Sequence, residues 1–179
     1  MIPIFLSRPN PFTYEQDLFL SEVISFLKEN NMNNITLAAK DYNPYESLSC
    51  LNEMIKRCYG MIIIAFGQSY IKNGVLKKGA VKHSKFYDSF EDDLDDLWIT
   101  TPYCHIEGAI AFSNGLPILI LSQKGLKKDD IIISGPEFVL NDCQLSKQFF
   151  QTNEFLESFQ VWKDKVETLF NSINGKISR

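Results

Sequence analysis

Several familiar signatures are missing from this 179-residue chain, and each absence removes a class of function. It has two histidines, His83 and His105, and four cysteines, Cys50, Cys58, Cys104 and Cys143, with no CxxC pair, so the spacing of a zinc site is absent. Cysteines scattered in this way are expected to be reduced and buried, as in a cytosolic protein. No apolar run approaches the roughly 18 residues of a membrane span. The run Ile2 to Leu6 meets Arg8 and Pro9 too soon for a signal peptide, so a soluble, cytoplasmic chain with no membrane partner is expected. The net charge of -4 disfavours a nucleic-acid partner, which needs a concentrated basic surface. Lysines gather only at Lys77, Lys78, Lys82 and Lys85, and an acidic run follows at once. There is no Walker A loop, GxGxxG, GxSxG or HExxH. No metal or resident cofactor is expected.

What is present suits one globular domain spanning 1–179. Apolar residues make up 45% of the chain and fourteen are Phe, enough for a full core. Short apolar runs alternate with helical patterns, the rhythm of a parallel sheet covered by helices. Strands are predicted over Ile2 to Leu6, Ile35 to Ala39, Met61 to Phe66 and Pro117 to Leu121, with an edge strand at Glu137 to Leu140. Met61 to Phe66, apolar without interruption, belongs in the middle of the sheet. Helices are predicted over Tyr14 to Asn30, Tyr45 to Arg57 and Tyr103 to Asn114. The last of these is closed by Gly115. A final helix carries Phe155, Phe159, Trp162, Val166 and Leu169 on one face. The pair Asn33-Asn34 is read as a break before the second strand.

Residues 71 to 100 interrupt the rhythm with blocks of opposite charge and are read as an insertion or mobile loop, either a solvated excursion or a lid. Within it, Trp98 is read as packing rather than stacking on a substrate. Asp92, Asp93, Asp95 and Asp96 match no EF-hand loop and are read as a solvated face.

The stretch Thr101-Pro102-Tyr103-Cys104-His105-Ile106-Glu107-Gly108-Ala109 carries the most chemical information. Ligands of a doubly wound sheet bind at the carboxyl ends of its strands, and Glu107 falls on that rim, as do Ser7, the Asp41 loop and the Gly67 loop. Tyr103 is one helical turn before Glu107, so both can face one pocket. A carboxylate beside an aromatic plane suits an oxocarbenium-like sugar: the anion stabilises or traps the ribosyl centre while the ring stacks on a base. The alternative is that Glu107 merely complements the helix N-terminus. His105 is expected to point elsewhere, and Cys104 to pack.

These residues resemble two families. Phe5-Leu6-Ser7, then Gly60-Met61-Ile62-Ile63-Ile64-Ala65 with Gln68-Ser69-Tyr70, then Thr101 to Glu107, resemble TIR domains in order and approximate spacing up to about residue 125. The last segment is similar to the TIR pattern Ser-x-Trp-Cys-x-x-Glu, whose Glu is catalytic in NAD-cleaving members, with Tyr103 in place of Trp. Ile106 to Gly115 and the apolar run after it are similar to the nucleophile helix of nucleoside deoxyribosyltransferases, with Glu107 as nucleophile. Both families are flavodoxin-like, which implies a three-layer sandwich with a central parallel sheet. The resemblance implies Glu107 as the catalytic residue, and Phe5, Ser7, Arg8, Asp41 and Tyr103 as substrate contacts. Its leading implication is an NAD-cleaving enzyme, a glycohydrolase or ADP-ribosyl cyclase making a nucleotide signal in antiviral defence. NAD is then the substrate, with self-assembly and a separate effector protein as partners. The alternatives are a nucleoside or nucleotide deoxyribosyltransferase or N-glycosidase, and a non-enzymatic TIR-like interaction module.

Overall fold

The computed structural model describes residues 1–37, 47–82, 90–128 and 138–175. Its centre is a five-stranded parallel sheet of β1 (Ile2–Ser7), β2 (Met32–Ile35), β3 (Met61–Ala65), β8 (Ile118–Gln123) and β9 (Phe138–Cys143). Between β3 and β8 lie four short strands, β4 (Ser69–Ile71), β5 (Val75–Leu76), β6 (Asp92–Asp93) and β7 (Leu97–Ile99). The order in the main sheet is β2-β1-β3-β8-β9, with every pairing parallel, so the sheet is flavodoxin-like. In this order the chain reverses direction across the sheet between β1 and β3, the place where ligands of such sheets bind at the strands' carboxyl ends.

Among the described residues, four α-helices cover the sheet: α1 (Tyr14–Glu29), α2 (Ser47–Ile55), α3 (Pro102–Ser113) and α4 (Asn153–Asn174), with a 3-10 turn at Lys147–Gln151. Strand alternation divides the core. Ile4 and Leu6 of β1 and Ile62 and Ile64 of β3 join Phe19, Leu27, Phe159 and Trp162 under α1 and α4. Phe5, Met61 and Ile63 face the other way, onto Leu51 and Ile55 of α2 and Cys104 and Ala111 of α3.

The expected elements are present, with two differences. The second strand is Met32–Ile35 rather than Ile35 to Ala39: Asn31, at φ 59°, ends the helix, and Asn33 and Asn34 pair with Pro3 and Ile4. On an edge strand the ladder uses only main-chain groups, so a polar pair did not break it. Residues 38–46 lie outside the described residues, and the loop containing Asp41 lies among them. The 71 to 100 region contains paired strands: β4 runs antiparallel to β7, and β5 to β6. β7 also reaches the main body, where Trp98 bridges Leu126 and Lys127 N donates to Trp98 O.

Candidate active site

The site begins at the end of β1. Alternation sends Phe5 and Ser7 to the same face, the one covered by α3, and Ser7 is the last residue of the strand, opposite Ile63 of β3. Its side chain is buried beside the reversal of the sheet. Arg8 follows in the loop, where its guanidinium donates to Asn10 Oδ1 at 2.9 Å and to Pro9 O at 3.4 Å.

The opposing wall is α3. Thr101 caps it, its Oγ1 accepting from Tyr103 N at 3.3 Å, and Pro102 fits the first turn because the missing N–H has no partner to lose there. The helix packs across β1, β3 and β8 with Cys104, Glu107, Gly108 and Ala111 inward. Glu107 is therefore in the second turn, beyond the reach of the first-turn dipole effect, and no acid occupies the first turn. Only 8% of the residue is exposed. Electrostatic complement to the helix end does not account for a carboxylate placed this deep.

Burial pushes the Glu107 carboxyl above the ordinary carboxylate range, opposed by the Ser7 hydroxyl and, less strongly, by the Arg8 guanidinium. Ser7 Oγ makes no hydrogen bond of full geometry, nor does the buried Thr100 Oγ1. Both hydroxyls nonetheless stand by the Cys104 thiol and act to lower its pKa, against a larger desolvation that carries it to about 12. A thiol so protonated is a packing group, not a nucleophile. The rim thus holds a buried carboxylate, two underused hydroxyls and a guanidinium. Hydroxyls that lack full partners at a buried site are available to a ligand.

The expected site residues are brought together unevenly. Ser7, Arg8 and Glu107 converge. Tyr103 lies one helical turn before Glu107 on α3 and is 50% exposed. Phe5, expected as a substrate contact, is wholly buried beneath α2 and α3, one pleat deeper than Ser7. His105, two residues from Glu107, projects from a different side of α3.

Two features were not apparent from sequence. Thr100 came from the region read as an insertion. Gln16, buried in α1, staples the rim: Phe12 N donates to Gln16 Oε1, and Gln16 Nε2 donates to Gly67 O and to Gln123 Oε1, which also accepts from Gly67 N. This fixes the β1–α1 loop to the ends of β3 and β8. A glutamine on an otherwise apolar helical stripe was the only available signal. Among the described residues, no group of three His, Cys, Asp or Glu side chains could hold a metal, and no helix is long and apolar enough to cross a membrane.

The chain matches no protein-family model and no curated protein. Among solved structures it is similar to the CMP N-glycosidase BcmB of Clostridium botulinum, at 14% identity and a TM-score of 0.48, over 83% of this chain and 95% of that one. At that distance the likeness assigns neither substrate nor mechanism. The fold assignment stands on the sheet order, and the chemistry on the surroundings of Glu107.

Proposed function

We propose that this chain breaks the N-glycosidic bond of a nucleotide, with Glu107 as the reacting carboxylate. The observation that carries the reading is a carboxylate 8% exposed at the reversal point of a parallel sheet, between a buried serine hydroxyl and an arginine. In this reading a Glu107 oxygen attacks C1′ of the ribose as the bond from C1′ to the base nitrogen breaks. The departing base keeps the electron pair and takes up a proton from solvent where it needs one. Water then attacks the glycosyl ester, releasing the sugar and regenerating the carboxylate. Ser7 holds the carboxylate toward its ionised form, and Arg8 supplies positive charge suited to a substrate phosphate, which favours a nucleotide over a free nucleoside.

NAD as substrate is the second reading, favoured by the half-exposed Tyr103 one turn from Glu107, the arrangement of the TIR-like pattern. Nicotinamide would be the leaving group, and water or the adenine ring would capture the ribosyl centre. The test incubates the purified chain at high concentration separately with NAD, CMP, AMP and deoxynucleosides and follows the products by mass spectrometry. The expected result is release of a free base from a phosphate-bearing substrate, lost by about a thousandfold or more in Glu107→Gln. Cleavage that survives unchanged in Glu107→Gln overturns the mechanism. The identity of the released base separates the two readings.

A further inference from the structure

The rim of the sheet also carries a row of three aromatic rings that no step above uses. Phe12 comes from the loop that also holds Arg8, and Tyr70 and Trp98 pair across β4 and β7. The ring centroids of Phe12 and Trp98 are 6.3 Å apart, and those of Tyr70 and Trp98 are 5.2 Å apart, so Trp98 is the middle ring. Packing explains Trp98 by itself: it lies on Gly67, where an added Cβ would meet the indole at 2.9 Å, and it covers Ala65 and Leu126. Packing does not explain the outer rings, since Phe12 is 57% exposed and Tyr70 50% exposed.

Their supports are specific. Phe12 is tethered through its N–H to buried Gln16, and the Tyr70 hydroxyl donates to Asp96 Oδ1 at 2.6 Å. Trp98 is two residues before Thr100, and Gly67 follows β3, the neighbour of the strand that ends at Ser7. The row therefore stands at the carboxyl ends of β1 and β3, the rim at which Ser7 lies. The outer rings are inclined to Trp98 by 38° and 48°, so each offers its own face, and a half-exposed ring face stacks on flat heterocycles because every base has a π-face.

We propose that Phe12, Trp98 and Tyr70 form a stacking platform for the base of the substrate, so that β4 and β7 are part of the binding site. This rests on the reading of the chain as a nucleotide N-glycosidase. Binding and turnover are therefore measured separately. The chain has two tryptophans, and Trp162 is fully buried, so a ligand-dependent change in tryptophan emission reports Trp98.

Glu107→Gln protein, which does not consume substrate, is titrated with CMP, AMP and NAD, and with ribose 5-phosphate as a ligand without a base. The nucleotides are expected to change the emission, and ribose 5-phosphate to bind more weakly and leave it unchanged. Phe12→Leu and Tyr70→Leu should each weaken nucleotide binding roughly 5- to 150-fold, the range for loss of one base–aromatic stack, without affecting ribose 5-phosphate. Tyr70→Phe, which keeps the ring and loses the Asp96 hydrogen bond, should bind close to the parent. The platform is overturned if no nucleotide binds, if ribose 5-phosphate binds as tightly as the nucleotides, or if both leucine variants bind like the parent. Ring-dependent nucleotide binding by a wild-type chain that cleaves none of them would leave the platform standing and remove the glycosidase reading. Cleavage with ring-independent binding would do the reverse.

Discussion

The two faces of the central sheet are built on different terms. Under α1 and α4, Phe26, Phe155, Phe159 and Trp162 meet ring against ring, and the polar groups buried there are hydrogen-bonded: Trp162 Nε1 donates to Pro117 O at 3.1 Å, and Gln16 makes its staple. Under α2 and α3 the deep part is equally apolar, with Phe5, Leu51, Ile55 and Ile63. At its rim, however, that layer buries Ser7, Thr100 and Glu107, two of them with hydroxyls lacking a full hydrogen bond. Leaving a buried hydroxyl unsatisfied costs about 1–3 kcal/mol, which alanine would avoid. One layer holds the domain together, while the end of the other keeps polar groups in unfavourable surroundings, as sites that act on ligands commonly do.

The sharpest test of this contrast compares truncations in the two layers. Trp162→Ala removes the largest fully buried side chain and should cost roughly 3–5 kcal/mol in denaturant unfolding. Ser7→Ala should not destabilise and should gain up to about 1–3 kcal/mol, because no well-formed hydrogen bond is lost and a buried hydroxyl without one is removed. Equal losses in the two variants would abolish the distinction.

A smaller effect belongs to the pH profile of the proposed reaction. Glu107 must be ionised to attack, and burial raises its pKa, so the rate should fall on the acid side at a pH above the usual carboxylate range. Ser7 is the stronger of the two groups opposing that rise, and Arg8 the weaker. Ser7→Ala should move the acid limb to higher pH, and Arg8→Met should move it the same way by less. Profiles of kcat against pH would show this, and a limb that moved to lower pH in Ser7→Ala would contradict the assigned electrostatics.

What the sequence made legible follows from the range of the interactions. Periodicity is local, so β3 and α3 were readable to within a residue and the apolar face of α4 was legible, and four-residue spacing put Tyr103 one turn before Glu107. Depth is not local. Phe5 and Ser7 share a face, yet only the assembled helices show that one is sealed and the other borders the rim. The Gln16 staple joins residues 51 and 107 positions apart, beyond any pattern along the chain. The acidic run concealed the pairing of β4 with β7, because charges on solvated edges say nothing about main-chain hydrogen bonds or about where Trp98 lies.

The smallest effect is also the one that assigns Glu107 to one layer's purpose or the other's. Its folded pKa lies above the unfolded reference of 4.5, so between the two values the folded chain binds a proton that the unfolded chain has released. Stability therefore falls as pH rises through that window and stays lower above it. Glu107→Gln has no such titration. It should be more stable than wild type at neutral pH and close to it well below pH 4.5, where the carboxyl is protonated in both states. A gain near 1 kcal/mol, usual when a functional group in unfavourable surroundings is relieved, corresponds to roughly 2–4 °C in Tm for a domain of this size. Thermal melts at the two pH values measure the difference. A variant less stable than wild type at neutral pH would make Glu107 a structural partner of Ser7 and Arg8. A variant that is more stable but inactive would mean that the carboxylate is kept there for its reaction, against the preference of the fold.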